Sequence, residues 1–179
     1  MTSNTIGVLA AIIPAVVSII GFIVTYNLTK RNVLLEIQKQ KSNILLDKMS
    51  SLPLEIQETM NIILKSGSTT NTIKKFESVM GQIFAYGTKE AIMIISSMQE
   101  LIYQNTKDSN TESLNKVFAY FVLLICQIKY DLTGIEINPE HWYKMRITDY
   151  SETKEIFGNA NNEIIKNLEL PQFMMIKYD

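Results

Sequence analysis

Residues 116–129 read KVFAYFVLLICQIK, and the ten residues from Val117 to Cys126 are apolar without a break. As α-helix they rise only about 15 Å, half of the roughly 30 Å that a bilayer core demands. One face of a surface helix would leave polar residues at intervals, and this run has none. It predicts a helix over 112–132 that is buried on most sides, with Lys116 and Lys129 flanking the run.

The flanking chain supplies neighbours for such a helix. Upstream, 33–49 is polar enough to be a helical stalk, but its apolar positions keep no heptad through Lys41 and Lys48. Pro53 opens a helix that Ser66-Gly67 closes. Ile73, Phe76, Met80, Ile83 and Phe84 recur at helical spacing and predict a core-facing stripe. Gly87 is expected as a C′ glycine and Thr88 as the N-cap of the next helix, whose stripe is Ala91, Ile94, Ile95, Met98, Leu101 and Ile102. Downstream, Gly134 ends the apolar helix, and Asn138-Pro139 starts a short one carrying His141, Trp142, Tyr143 and Met145. Ser151 is the expected cap of a last helix with the face Phe157, Ala160, Ile164 and Leu168, and Pro171 precedes a tail. No strand-period alternation competes.

The N-terminus has a different character. No Lys, Arg, Asp or Glu occurs before Lys30, so all 35 charged side chains lie in the other 150 residues. Residues 6–26, IGVLAAIIPAVVSIIGFIVTY, rise roughly 32 Å as a helix and match the bilayer core. Twelve of them are Ile, Val, Leu or Phe, favouring insertion by roughly 4–7 kcal/mol at most. No basic n-region and no small-x-small site mark a cleaved signal peptide, so an uncleaved span is expected. Lys30, Arg31, Lys39 and Lys41 crowd one flank, placing the N-terminus outside and residues 30–179 in the cytoplasm of an inner membrane. At 100° per residue, Gly7, Ala10, Ala11, Pro14, Ala15, Ser18, Gly21 and Thr25 share one side of the span, a face suited to packing on another span.

The expected fold is all-α: an N-terminal transmembrane helix (1–29) continuing into a juxtamembrane stalk (30–52), then an antiparallel cytoplasmic bundle of about five to six helices (53–179). Frequent Ile, Lys and Asn (26, 15 and 14) against two Arg suit a low-GC bacterium or its phage.

Catalytic chemistry is mostly excluded by shortage. One His and one Cys give neither a His/Cys metal site nor a Cys–His dyad, and a single Cys cannot pair within the chain. Gly81 to Lys89 reverses the order of a phosphate loop and follows no strand. Glu55, Glu58, Asp131, Glu136, Glu140, Asp149, Glu152 and Glu155 form no Glu-x-x-His pair and read as a solvated face. The nine methionines read as core. Trp142, near Lys144 and Arg146, is expected to cap the bundle rather than rest on the membrane interface. The net charge of -1 offers no basic footprint for nucleic acid.

Two segments carry a resemblance. Ile83-Phe-Ala-Tyr86-Gly87-Thr88-Lys-Glu90-Ala91, and later Leu123 through Lys129-Tyr-Asp131-Leu132-Thr-Gly134, resemble a group of uncharacterised bacterial single-pass proteins with a cytoplasmic helical domain. Those carry a YG[ST]-x-E turn and a helix ending near I-R-x-D-L-G; here Lys129 stands for the arginine and Thr133 precedes the glycine. The resemblance covers roughly 73–134 and implies no activity. It singles out Tyr86, Gly87, Thr88, Lys129 and Asp131 as interaction or structural residues, and Trp142, outside the resemblance, is a further candidate on its own reading. Asp131 near a helix C-terminus opposes the dipole and needs a partner, for which Lys129, Lys89 and backbone amides are candidates.

The function expected is that of a membrane-anchored helical interaction protein, not an enzyme, with no cofactor. Its partners are the lipid bilayer, its own copy or another membrane protein, and a cytoplasmic protein. Phage defence or superinfection exclusion is the setting suggested by analogy. The alternative is an effector whose bundle senses a small molecule and acts through the span. An interaction module should show an exposed apolar patch, and a sensor a deep polar cavity.

Overall fold

The computed structural model describes residues 3–66, 69–105 and 111–178, with side chains described at 21–40, 42–63, 69–104 and 111–178. All its regular structure is helical: α1 (Ser3–Met49), α2 (Leu52–Ser66), α3 (Thr70–Tyr86), α4 (Lys89–Asn105), α5 (Thr111–Thr133), α6 (Pro139–Arg146), α7 (Tyr150–Asn167) and a 3-10 turn, Gln172–Met174. The chain divides into two compact units, Met1–Ile44 and Leu45–Asp179.

The first unit is a length of α1. Every side chain described there is exposed, large apolar ones such as Phe22, Leu28, Val33 and Ile37 included. The span expected over 6–26 falls mainly on 6–20, whose side chains lie outside the described residues. The same is true of Gly7, Ala10, Ala11, Pro14, Ala15 and Ser18, while Gly21 and Thr25 are exposed. Among the described residues, no helix is long and apolar enough to cross a membrane.

The second unit is a helical bundle built on α5, which packs against α2, α4, α6 and α7. Within the apolar run, Ala119 and residues 121–126 are buried and Val117, Phe118 and Tyr120 half-buried, a helix sheltered on most sides. Burying side chains such as Leu123, Leu124 and Ile128 stabilises the fold by about 1.5–3 kcal/mol each. Met49 and Leu52, placed in the stalk by sequence, are wholly buried in this core.

Local signals at the ends of α5 and α6 act as read. Gly134 takes φ +67 and donates its N–H to Tyr130 O at 2.7 Å, a left-handed stop that suits glycine. Asn138 caps α6 by accepting from Glu140 N at 2.9 Å, with Pro139 in the first turn. Three other readings need correction. Ser151 is not the cap of α7, which begins at Tyr150; Asp149 O accepts from Thr153 N there, and Tyr150 is buried as an anchor against Tyr143. The core face of α3 is Thr72, Phe76, Val79 and Ile83. That is rotated by about 60° from the apolar stripe, so Ile73 and Phe84 are exposed. The acids are not all solvated: Asp131 is half-buried, and Glu140, similarly sheltered, pairs with Lys144 (3.2 Å) and Lys154 (3.1 Å).

Candidate functional site

The rotation of α3 creates the most distinctive surface of the second unit. With Ile83 and Val79 turned into the core, Met80 and Phe84 fall to the flank facing α4. Ile94, Ala91 and Met98 hold α4 in the core, which brings Ile92, Gln99 and Tyr103 to the same flank. The result is an open groove of about 600 Å³ between α3 and α4, lined mostly by apolar side chains. Phe84 is 77% exposed and Tyr103 69% exposed at its edges. Inside it, Gln99 Oε1 is buried and accepts no hydrogen bond from the described residues. A buried acceptor left unsatisfied costs about 1–3 kcal/mol, which a donor entering the groove would relieve. Glu100 lines the rim, braced by Gln104 Nε2 at 3.2 Å.

A second junction joins the two motif segments. Thr88 caps α4, accepting weakly from Ala91 N (3.4 Å), and its Oγ1 donates to Asp131 Oδ2 at 2.7 Å. Gln127 Nε2 donates to Asp131 Oδ1, also at 2.7 Å. Burial raises the Asp131 carboxyl above its ordinary value, and these two hydrogen bonds partly oppose the rise. The partners of Asp131 are thus Thr88 and Gln127, not Lys129 or Lys89. Lys129 points outward because its neighbour Ile128 is locked in the core. Gln127 was missed, although a residue four before Asp131 on a helix always shares its face.

Gly87 plays a different part from the one its position suggests. Its φ is −75, so it is not a left-handed C′ residue. Its N–H reaches Ile83 O at 2.7 Å, and a Cβ would stand 2.5 Å from that same carbonyl oxygen. Close approach, not conformational freedom, calls for glycine. Tyr86 is exposed at 38% and takes no part in the Asp131 junction.

Trp142 lies apart from that junction, in an aromatic cluster where α5, α6 and α7 meet. It is buried, edge-on to Phe118 at 5.4 Å, and the Arg146 guanidinium stands 5.8 Å from its ring centre. Tyr143, wholly buried, stacks on Tyr150 at 5.8 Å. Cys126 is buried among these helices, and desolvation pushes its thiol up to about 12. Among the described residues, no group of three or more His, Cys, Asp or Glu is placed to hold a metal ion.

Sequence reading also missed how the tail is held. Asn138 Nδ2 donates to Phe173 O (2.9 Å) and Met175 O (2.8 Å), and Asn161 Nδ2 to Met174 O (3.0 Å). Asn162 makes a two-way amide pair with Ile176, its Oδ1 accepting from N and its Nδ2 donating to O, each at 2.8 Å. Three asparagines, the cap of α6 and two on α7, thus grip backbone groups while Leu170, Met174 and Ile176 enter the core.

No family model, no curated protein and no solved structure matches this chain.

Proposed function

We propose that this chain is a single-pass membrane-anchored interaction protein. Residues 6–26 form the span, the N-terminus lies outside, and the helical bundle faces the cytoplasm, where the α3–α4 groove takes an apolar helix face of a protein partner. The observation that carries the reading is the groove itself, apolar in its lining and flanked by exposed Phe84 and Tyr103. Grooves of this kind suit an amphipathic helix, whose anchors at i, i+3, i+4 and i+7 enter together. The anchor reading is supported by the charge-free first 29 residues and by the lysines and arginine that follow them. The role is one of binding, not catalysis, and phage defence or superinfection exclusion is a setting that suits a compact tethered bundle.

The test compares full-length chains in native membranes. The protein should resist alkaline carbonate extraction, and Phe84→Glu should abolish capture of its partner. Leu54→Glu, an exposed position on α2, should leave capture intact. Release by carbonate overturns the anchor, and equal capture by both variants overturns the groove.

A further inference from the structure

We propose that the occupant of the α3–α4 groove is the stalk segment 30–44 of a second copy of this chain. The inference rests on the groove being a docking face and names what docks there.

Two features within one chain call for a partner of the same description. Residues 30–44 of the stalk are exposed at every described side chain, Val33 at 49% and Ile37 at 44% included. A helix of this length with no tertiary packing is marginal in water, so a surface that covers it stabilises it. The groove presents the reverse: apolar walls held in place by the bundle, and nothing of the described second unit laid across them.

Spacing and charge connect the two. Val33, Ile37, Gln40 and Ile44 fall on one side of the stalk, within about 60°. On α4, Ile92, Ser96, Gln99 and Tyr103 line the groove with the same steps of four, three and four residues. Both rows are therefore about 16 Å long. Gln40 lies in the middle of its row and carries the amide donor that Gln99 Oε1 lacks. Glu100, an exposed acid, is the charged residue among those that line the groove. Residues 30–40 offer Lys30, Arg31 and Lys39 against Glu36 alone. A tether in the same bilayer raises the effective concentration of one copy near another, so a modest interface suffices.

The experiment places a photoreactive side chain at Phe84 of the full-length protein in membranes. The expected result is an adduct of twice the chain's mass, with the cross-linked peptide lying within 33–44. Glu100→Lys should lower its yield roughly fivefold, the scale of one exposed charge pair at about 1 kcal/mol. An adduct with another protein, or with another segment, overturns the second copy but leaves the groove as a docking face. A link to the stalk of the same chain also overturns it. No adduct at all overturns both readings. As a second measurement, differently tagged Ile37→Cys and Phe84→Cys chains are mixed, the native Cys126 being buried. A mixed-tag disulfide dimer is expected, and an Ile37→Cys homodimer in its place overturns the proposal.

Discussion

Thr88 and Asp131, 43 residues apart, share a hydrogen bond of 2.7 Å that ties the start of α4 to the end of α5. The same threonine oxygen accepts from Ala91 N, so one hydroxyl both caps a helix and holds a half-buried carboxyl. Thr88→Val should therefore cost about 1–2 kcal/mol, the combined scale of a lost cap and a lost charge-assisted bond. In a thermal-unfolding cycle with Asp131→Asn, the two substitutions should couple by at least about 0.5 kcal/mol. Strictly additive effects would show that the contact contributes nothing.

The pH response of that junction has a definite sign. Burial raises the Asp131 carboxyl above its ordinary value of 3.8. A group raised on folding contributes stability that is fully present below its unfolded value and lost as pH rises through the folded one. Over a pH window that opens at that ordinary value, the melting temperature of Asp131→Asn should thus gain on that of the native protein as pH rises. A gap that stays constant over that window, or moves the other way, contradicts the account.

Two glycines should respond in an order opposite to the one their dihedrals suggest. Gly134 has φ +67 and open space where a Cβ would be, so Gly134→Ala should cost about 1 kcal/mol. Gly87 has an ordinary φ, but its added Cβ would meet a backbone carbonyl that cannot swing away. Gly87→Ala should cost more, about 2–3 kcal/mol, through overpacking and a displaced helix end. Chemical denaturation of the two variants checks the order.

The tail should loosen when one asparagine is shortened. Asn162→Ala removes both bonds to Ile176 and should cost about 1–3 kcal/mol. Hydrogen exchange at Ile176 N–H should quicken far more than at Leu123 N–H in the core of α5. Equal protection before and after the substitution would mean that apolar burial alone holds the tail.

Cys126 should be silent in the folded protein. Its thiol is buried and pushed up to about 12, so thiolate is scarce at neutral pH. A thiol reagent at about pH 8 should label it only as fast as the bundle opens. Prompt stoichiometric labelling of native protein would contradict this placement.

The bundle was legible where residues repeat a single message. Ten apolar residues in a row read as a buried element, and Ala119 and 121–126 of them are buried. Gly134 and Asn138-Pro139 were legible because each has one dominant backbone use. The face of α3 was not, because Thr72 and Val79 compete with Ile73 and Met80 for the interior, and tertiary neighbours decide between them. The groove is the product of that choice, so no local pattern announced it. Gln127 and the asparagines escaped notice for a different reason. A polar side chain inside a bundle is read from its partner, and the partners of Asn161 and Asn162 are backbone groups more than a dozen residues away.

The asparagine clamp also bears on how relatives of this chain would look. It reads main-chain groups at 173–176, so the clamp itself selects no side chain there; burial keeps Met174 and Ile176 apolar, and Phe173 packs on Tyr130. Descent should therefore be traced in a sparse signature: Asn-Pro opening α6, a pair of asparagines late in α7, and alternating apolar residues after a proline. Overall hydropathy, dominated by interchangeable helix interiors, would blur within a few divergences while that pattern endured.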